Sequence, residues 1–396
     1  IATYRNGQRF VVKADAACKA GASLNAGAGS KPLRKEGGAT ALAAGDIVAN
    51  QIFEATFSTG VGSPDQDYFL VTSPLAPAPA SGSTVLPQGR LTLTTGVPVG
   101  IADVTAATAI YYAPYVGDQC PTYNGSAFAN NTFTEQTLTL NNPNHAADTN
   151  YDIFAFLDGS TFRIGTGPAW SSGTARGTGA GTTELARVLG ILTNAVAITA
   201  RNGASTYSVA INKATYLGTF RTTATVAQTE MTFAPAAAAG GTANKLYLWN
   251  MYNRVAVVAL CRDSTNTWTY ATQTWRSLDN NASNRVSYVS GIAEDAWDAE
   301  VHGVLLQTGG AAQSSGVGIG YDATNALSGL PGLVEDTASV HMRSIVGRFS
   351  TTSLGLHFMQ ALEIASVYSG GLTTTFVGDN ANALIFQCGL MLRGRM

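Results

Sequence analysis

Short runs of alternating apolar and polar residues recur along most of the chain, and this pattern restricts its fold more than any other feature. In NQIFEATF, the apolar side chains of Phe53, Ala55 and Phe57 fall on one face and the polar side chains between them on the other. RLTLTTG and TEQTLTLNN repeat the alternation with leucines. Because successive side chains of a β-strand point to opposite faces, this two-residue period predicts strands with one buried face.

Dipeptides typical of tight turns separate several of these runs. Asp158-Gly159 stands between two strand-like runs in NYDIFAFLDGSTFRIG, and Asn-Gly dipeptides occur at Asn124 and Asn202. These residues tolerate the positive φ that two-residue hairpin turns require. The sequence therefore predicts β-hairpins at these three places. The segment TNTWTYATQTWRS, rich in threonine and aromatic residues, is interpreted as a fourth hairpin.

Helical signals are few. AEDAWDAEVHGVL is compatible with a short helix or with a strand, and TTELARVLGIL is compatible with another helix. KLYLWNMYNRVAVVAL is apolar on both faces, as expected of a strand buried on both sides or packed against a neighbouring chain. The segment from His357 to the end is interpreted as three strands, joined around residues 369–371 and 379–380. We therefore predict an all-β fold, or nearly so.

Composition marks two boundaries between domains. SPLAPAPASGSTVLPQG holds four prolines, which fix φ and withhold backbone donors, so residues 73–89 are predicted to form an extended linker. This linker separates an N-terminal β module, residues 1–72, from a β domain at 90–240. A weaker break at residues 234–244 allows a C-terminal β domain at 241–396, although one domain over 90–396 is also compatible with the sequence.

Charge argues against several classes of partner. Charged residues make up only 12% of the 396 residues, against roughly 25% in an average protein, and the net charge is −2. With no basic run longer than KPLRK, we expect no binding to nucleic acid. The longest apolar run, residues 255–261, is far shorter than the roughly 20 residues that span a bilayer, so we expect no membrane insertion.

Motifs that would carry chemistry are weak. The cysteines are widely spaced, without a histidine at ligand spacing, which favours buried free thiols over a zinc site or a disulfide framework; they are Cys18, Cys120, Cys261 and Cys388. ARGTGAGTT and GVGIGYD resemble phosphate-binding loops only in their glycines, and flexible loops are predicted for both. We predict no catalytic residue, no metal site and no cofactor.

Two groups of side chains remain as candidates for a site. Paired carboxylates hydrolyse glycosides and can bind calcium, and the most acidic stretch holds Glu294, Asp295, Asp298 and Glu300. Four acids in seven residues are nevertheless more typical of a solvated face. Aromatic residues that could stack on sugars are Trp170, Trp249, Trp268, Trp275, Trp297, Tyr111, Tyr112 and Tyr115. Trp249 is expected in a core or interface, whereas Trp268 and Trp275 flank the predicted hairpin and are candidates for exposure.

Motifs in two parts of the chain resemble bacteriophage proteins. GASLNAGAGSKPLRKEGG, ALAAGDIVANQIFEATF and DYFLVTS, within about the first 72 residues, resemble a segment found repeatedly in tail-fibre and related virion fibre proteins. From Arg90 onward, the chain resembles a module common in phage structural proteins. That resemblance is carried, in order, by RLTLTTGVPV, DVTAATAIYYAPYVG, NYDIFAFLDG, FRIGTGPAW, YLGTFRTTA, KLYLWNMYNRV, WTYATQTWR, GIAEDAW and EVHGV.

The resemblance implies a virion-surface protein, usually homotrimeric, without catalytic residues. With the strand pattern, it predicts a small N-terminal β fibre module followed by antiparallel β-sandwich or jelly-roll-like domains, assembled as a homotrimer. The small residues of the opening segment would then lie near the shared axis, where identical chains crowd each other. Because the chain begins at Ile1 rather than Met, we expect an upstream segment that joins it to other virion proteins.

The leading hypothesis is therefore a non-enzymatic fibre of a tailed bacteriophage that recognises a receptor on the host surface, in particular a glycan. The first alternative is a head-fibre or decoration protein on the capsid. The second is a polysaccharide-degrading tailspike, although the chain lacks the regular strand-sized repeats of β-helical spikes. The distal surfaces of such proteins vary, so the resemblance transfers no binding residue, and the binding residues stay unknown at this stage.

Overall fold

The structure is a computed structural model that describes residues 3–35, 38–59, 67–72, 85–307, 313–336, 341–365, 373–382 and 384–396. Most of the predicted linker and the predicted joint at 369–371 lie outside these ranges. Within them, regular structure consists of β-strands and short 3-10 segments, such as the single turn at Leu278–Asn280, without an α-helix. The prediction of an all-β fold is confirmed. The chain divides into two compact units, Ile1–Thr84 and Val85–Met396.

The first unit is one small sheet folded over an aromatic core. Its strands are Arg9–Lys13 (β1), Ser23–Asn25 (β2), Ser30–Lys35 (β3), Thr40–Ala41 (β4), Ile52–Ser58 (β5) and Tyr68–Val71 (β6). They are ordered β1-β5-β6-β3-β2, with β4 beside β3, and only β3 and β6 run parallel. The alternation predicted for β5 is confirmed, because Phe53, Ala55 and Phe57 are buried and pack against Leu33 and Phe69.

The turn at residues 42–47 is held by Asp46. Its carboxylate accepts a hydrogen bond from the Ala43 N–H at 2.7 Å and pairs with Lys35 Nζ at 2.8 Å. The Lys35 ammonium thereby lowers the pKa of Asp46. Gly45 has a φ of +84°, which glycine adopts without a steric penalty. This turn is therefore fixed by one carboxylate and one glycine.

The first half of the second unit forms an eight-stranded sheet, a three-stranded sheet and a two-stranded sheet. Its first strands are Gly89–Thr92 (β7), Val104–Ala107 (β8), Ala109–Pro114 (β9), Gln119–Tyr123 (β10), Phe128–Thr132 (β11), Gln136–Thr139 (β12), Asn150–Asp158 (β13), Thr161–Ala169 (β14), Leu185–Val188 (β15), Ile191–Asn194 (β16), Ile198–Asn202 (β17), Ser205–Val209 (β18) and Thr215–Arg221 (β19). The eight-stranded sheet has the order β15-β16-β19-β13-β14-β17-β18, completed by a strand from Leu248–Asn250 beside β19. β12, β9 and β7 form a separate three-stranded sheet, and β10 pairs only with β11.

The second half of the unit builds two further sheets. Its strands are Thr229–Met231 (β20), Asn244–Leu246 (β21), Leu248–Asn250 (β22), Ala256–Arg262 (β23), Thr267–Tyr270 (β24), Arg276–Ser277 (β25), Arg285–Ser290 (β26), Trp297–Gln307 (β27), Gln313–Tyr321 (β28), Gly332–Asp336 (β29), His341–Thr351 (β30), Gly355–Ile364 (β31), Thr374–Val377 (β32) and Gly389–Arg395 (β33). One sheet has the order β29-β28-β31-β26-β21-β20-β8, with β25 beside β31. The other has the order β23-β33-β27-β32-β24, with β30 on the free side of β27.

These two sheets pack face to face. The inner residues of β27 join one continuous core with those of β28 and β26, and the Trp297 and Tyr288 rings stack with centroids 4.2 Å apart. Contact is close enough that a Cβ at Gly303 would lie 2.5 Å from Val317. The same core continues to Phe154 of β13. Residues on both sides of the weak break at 234–244 therefore share one core.

The hairpins form where they were predicted, but the turns are shifted by one residue. Asp158 pairs with Thr161, so Gly159 takes the first central position, with a φ of +62°. Asn202 likewise pairs with Ser205 and leaves Gly203 at the first central position. A glycine at the first central position is typical of type II′ turns. The Asn124 hairpin closes through a four-residue loop instead.

Four local predictions are wrong. TTELARVLGIL forms the hairpin of β15 and β16 rather than a helix, and all of GVGIGYD except its last residue lies within the buried strand β28 rather than in a loop. A Cβ at Gly320 would lie 2.1 Å from the Ala323 carbonyl oxygen, so these glycines reflect crowding. TNTWTYATQTWRS is not a hairpin, because β24 pairs with β32 and β25 pairs with β31. KLYLWNMYNRVAVVAL is divided among β21, β22 and β23.

Candidate functional site

The glycine-rich segment ARGTGAGTT contributes to a buried ion pair. Arg176 Nε donates to Asp152 Oδ2 at 2.6 Å, and Arg176 Nη2 donates to Asp152 Oδ1 at 3.0 Å. The fully buried Asp152 carboxylate also accepts hydrogen bonds from the hydroxyls of Thr183 and Thr219. Arg176 Nη2 donates to the Gly291 carbonyl at 2.6 Å. Because every one of these charges is met by an internal partner, the segment holds the fold together.

The glycines that follow Arg176 make turns rather than a phosphate cradle. Gly177, Gly179 and Gly181 have φ values of +85°, +81° and +82°. The Gly179 N–H donates to a carboxylate oxygen of Glu184 at 2.8 Å. A negatively charged side chain therefore already occupies the place where a bound phosphate would need these donors.

The four acids of residues 294–300 do not form one site. Arg187 Nη2 lies 2.7 Å from Glu294 Oε1, and Arg254 Nη1 lies 2.7 Å from Asp295 Oδ2, so these two acids belong to an ion-pair cluster. Asp298 and Glu300 lie farther along, on the outer face of β27. In the described part of the chain, no group of three or more histidine, cysteine or acidic side chains could hold a metal ion.

Most of the candidate aromatic residues are in the core. Trp170, Trp249, Trp297 and Tyr112 are buried. Trp268, a candidate for exposure, is 9% exposed and stacks on Phe376, so that expectation is wrong. Trp275 and Tyr111 are half-buried, and Tyr115 is exposed. The aromatic residues therefore do not form one sugar-binding platform.

The cysteines are free thiols, as predicted. Cys120, Cys261 and Cys388 are buried, and burial raises the pKa of each to about 12. Cys18 is half-buried. Among the histidines, His145 is fully buried; its Nδ1 accepts from the Asn141 N–H at 2.9 Å. Burial lowers the pKa of His145 to about 4, so the ring is neutral near pH 7.

Glu363 is a buried acid at the junction of the two packed sheets. Its carboxylate accepts hydrogen bonds from Trp268 Nε1 and from Arg276 Nε, the latter at 2.7 Å. Burial raises the pKa of Glu363 from 4.5 to about 7. A raised pKa means that the folded state holds the proton more tightly, so this contribution to stability is present below pH 4.5 and is lost as the pH rises to about 7.

We expect Glu363→Gln to flatten this part of the pH dependence. Relative to the unaltered protein, the variant should gain on the order of 3 kcal/mol in unfolding free energy between pH 4.5 and pH 7, at about 1.4 kcal/mol per pKa unit. Urea unfolding across this range measures it. His145 gives the opposite trend, because its lowered pKa costs stability as the pH falls from 6.5 to about 4, so only the difference between variants is informative. The exposed Glu335→Gln is the control, and parallel curves for all three proteins would contradict the prediction.

The outer face of the sheet that contains β27 carries rows of polar and apolar side chains. One row crosses four neighbouring strands and the bridged residue beside them; it comprises Leu330, Arg348, Glu300, Met391 and Leu260. The next row comprises Ser350, Asp298, Arg393 and Val258. Since neighbouring strands lie about 4.8 Å apart, the first row is about 19 Å long.

A concave surface follows these rows and is here named the outer groove. It has a volume of about 720 Å³ and is lined by Asp298, Ala299, Glu300, Ser328, Gly329, Leu330, Arg348, Phe349, Ser350, Met391 and Arg393. The wall is formed by the segment around Leu330, which exchanges two backbone hydrogen bonds of 2.9 Å with Arg348. Leu330 itself is 78% exposed. A second cavity of about 240 Å³, which includes Arg262 and His302, shares Glu300 and Met391 with the groove.

Some charged side chains of the outer groove form ion pairs, and others do not. Arg348 Nε donates to Glu300 Oε2 at 3.0 Å. Asp298 and Arg393 are directly opposite in the register of β27 and β33, yet neither side chain has an ion-pair or hydrogen-bond partner among the described residues. Asp298 and Glu300 belong to the acidic stretch noted in the sequence, but their arginine neighbours, Arg393 and Arg348, come from strands distant in the chain. The outer groove is the best candidate for a binding site in the described structure.

Comparison with known proteins identifies no family. No protein-family model and no curated protein matches the chain. A tryptic core variant of Bacillus thuringiensis Cry1Da is 9% identical, with a TM-score of 0.15 over 72% of this chain and 48% of that one, so the chain spans about half its length. The infectious bursal disease virus Gx and Gt strain structures are 9% and 10% identical, with TM-scores of 0.12 and 0.11 over 74% of this chain and 72% of theirs. Structural similarities with TM-scores this low support no inference about the fold or the function of this chain.

Proposed function

We propose that the chain is a non-enzymatic structural protein of a tailed-bacteriophage particle, acting as a trimeric fibre that binds the host cell surface. The observation that carries the proposal is the spatial arrangement of the phage-like motifs. NYDIFAFLDG, FRIGTGPAW and YLGTFRTTA supply β13, β14 and β19, which are direct neighbours in one sheet. The strand β22, from KLYLWNMYNRV, pairs with β19. Motifs scattered along the sequence thus combine into one packed module.

A buried asparagine joins two further motifs. The Asn250 side chain accepts from the Leu91 N–H at 2.7 Å and donates to the Leu91 carbonyl at 3.2 Å. It thereby connects KLYLWNMYNRV to RLTLTTGVPV, 159 residues apart. A side-chain amide that satisfies both backbone groups of one residue is sensitive to substitution. This dependence of one motif on another supports the interpretation that the resemblance marks a single inherited unit.

The pairing of buried acidic side chains with arginines supports the non-enzymatic part of the proposal. The carboxylates of Asp152 and Glu363 are buried and bound by arginines, so neither faces an open cleft. The described chain also contains no helix with the length and apolar character needed to cross a bilayer. The outer groove offers a concave surface with exposed polar and apolar groups, as a surface that binds a host receptor requires.

We expect the purified protein to have a native mass three times that of the 41.0 kDa chain, because a fibre of this kind buries shared surface between copies. Light scattering after size exclusion measures the mass.

Antibody labelling of phage particles should mark the tail, and the protein should compete with these particles for adsorption to host cells. Label on the capsid would favour a head fibre or decoration protein, and release of oligosaccharide from host polysaccharide would favour a tailspike. A monomer that binds no cells would contradict the proposal.

A further inference from the structure

We propose that the outer groove binds an acidic saccharide, which it would contact through Arg393 and Asp298. This inference rests on the proposed role at the host surface and names the ligand class and the site. Both side chains line the groove, and both are exposed. The inference concerns a position where the described structure leaves two opposite charges side by side without a partner.

The guanidinium of Arg393 determines the first chemical requirement. A guanidinium presents a planar fork of N–H donors that matches a carboxylate or a phosphate. Asp298 lies directly opposite Arg393 in the register of β27 and β33, yet no ion pair joins the two side chains among the described residues. Glu300 is already engaged by Arg348. An anionic group on the ligand is therefore the partner that Arg393 lacks.

The carboxylate of Asp298 determines the second requirement. An ionised carboxylate only accepts hydrogen bonds, so its partner on the ligand must be a donor such as a hydroxyl group. Neighbouring strands are about 4.8 Å apart, so the ligand must present an anion and hydroxyl groups at a similar separation. A sugar ring that bears a carboxylate meets this condition. A neutral sugar would leave Arg393 without a partner, and a fatty acid would leave Asp298 without one.

The remaining surface fits a sugar chain in size and polarity. Ligand sites typically enclose about 300–1,000 Å³, and the groove has about 720 Å³. Met391 and the exposed Leu330 provide apolar contacts for the C–H faces of a ring, and Ser328 and Ser350 provide hydroxyl groups. Because the second cavity continues from Glu300 and Met391, the site extends beyond one ring. The geometry therefore favours an oligosaccharide over a single sugar.

The test is a glycan array that carries saccharides with uronic acid, sialic acid or phosphate groups beside neutral ones. The full chain and three variants are applied: Arg393→Gln, Asp298→Asn and the control Arg163→Gln, whose arginine pairs with Asp158 on the exposed hairpin. We expect binding to acidic saccharides, at least tenfold weaker in Arg393→Gln and weakened in Asp298→Asn, and unchanged in Arg163→Gln. Superimposable urea-unfolding curves and equal native masses establish that the variants are folded and assembled alike.

Several outcomes would overturn the inference: no binding to any acidic saccharide, a preference for neutral ones, or equal binding by Arg393→Gln. A change of native mass in Arg393→Gln would show that the groove is an interface between copies, which also overturns it. Adsorption to host cells separates this inference from the proposed function. Cell binding that both groove variants retain leaves the fibre proposal intact, whereas groove-dependent array binding by a protein absent from virions rejects the fibre proposal alone.

Discussion

Replacement of Asp152 by alanine is expected to lower the free energy of unfolding by about 3–5 kcal/mol, as is usual when one partner of a buried ion pair is removed. The guanidinium of Arg176 would remain, with a side chain only 10% exposed, but without the carboxylate that both its Nε and its Nη2 now contact. The hydroxyls of Thr183 and Thr219 would lose their acceptor as well. Urea unfolding at neutral pH measures the loss.

The chain provides a matched control for this variant. Arg163 Nε donates to Asp158 Oδ2 at 2.8 Å in the same way, but the two side chains are 39% and 46% exposed. Exposed pairs are worth about 0–1 kcal/mol, so Asp158→Ala should be nearly neutral. A double variant that also carries Arg176→Met should recover part of the loss, because no unpaired charge stays buried. If Asp152→Ala and Asp158→Ala cost the same, the buried network is not what holds this part of the unit together.

The sequence was sufficient to predict structural features that depend on residues adjacent in the chain. Alternation identified β5, and turn dipeptides located the hairpins at Gly159 and Gly203, since both depend on a few consecutive residues. The one-residue shift of these turns follows from the last ladder pair, Asp158 with Thr161, which local composition does not fix. Local patterns therefore gave the type of element more reliably than its register.

Features that depend on distant residues could not be predicted. Trp268 was interpreted as a candidate for exposure beside a hairpin, but its indole N–H donates to Glu363, 95 residues later, and its ring stacks on Phe376. The glycines of β28 resembled a loop, but β29 and the segment after β28 crowd against them. Both errors arise because tertiary contacts override local composition.

The outer groove illustrates the same limit for function. The sequence singled out Asp298 and Glu300 only as members of an acidic stretch, in a segment compatible with a helix or a strand; the structure places both on the outer face of β27. Nothing in their surroundings in the sequence indicated that Arg348 and Arg393 would flank them, because those residues come from β30 and β33. A catalytic pair and a binding groove give the same local pattern. Only the order of the strands in the sheet distinguishes a site with two arginines from a simple acidic face.

Trp297→Ala should cause a loss of about 3–5 kcal/mol in unfolding free energy, the usual cost of removing a large buried aromatic side chain. Trp297 is 1% exposed, stacks on Tyr288 and donates its indole N–H to Ser290 Oγ at 2.7 Å. It joins the two packed sheets, since it belongs to β27 whereas Tyr288 and Ser290 belong to β26. Urea unfolding of the variant at neutral pH measures the loss.

Tyr115→Ala serves as the control, because Tyr115 is 42% exposed and should cost less than about 1 kcal/mol. Trp297→Phe refines the result: it keeps most of the stacking area but leaves the Ser290 hydroxyl without its donor, so an intermediate loss is expected. Equal stability of Trp297→Ala and Tyr115→Ala would mean that the two sheets do not pack through this ring. The outer groove would then lose its support, because its acids lie on the opposite face of the strand that Trp297 anchors.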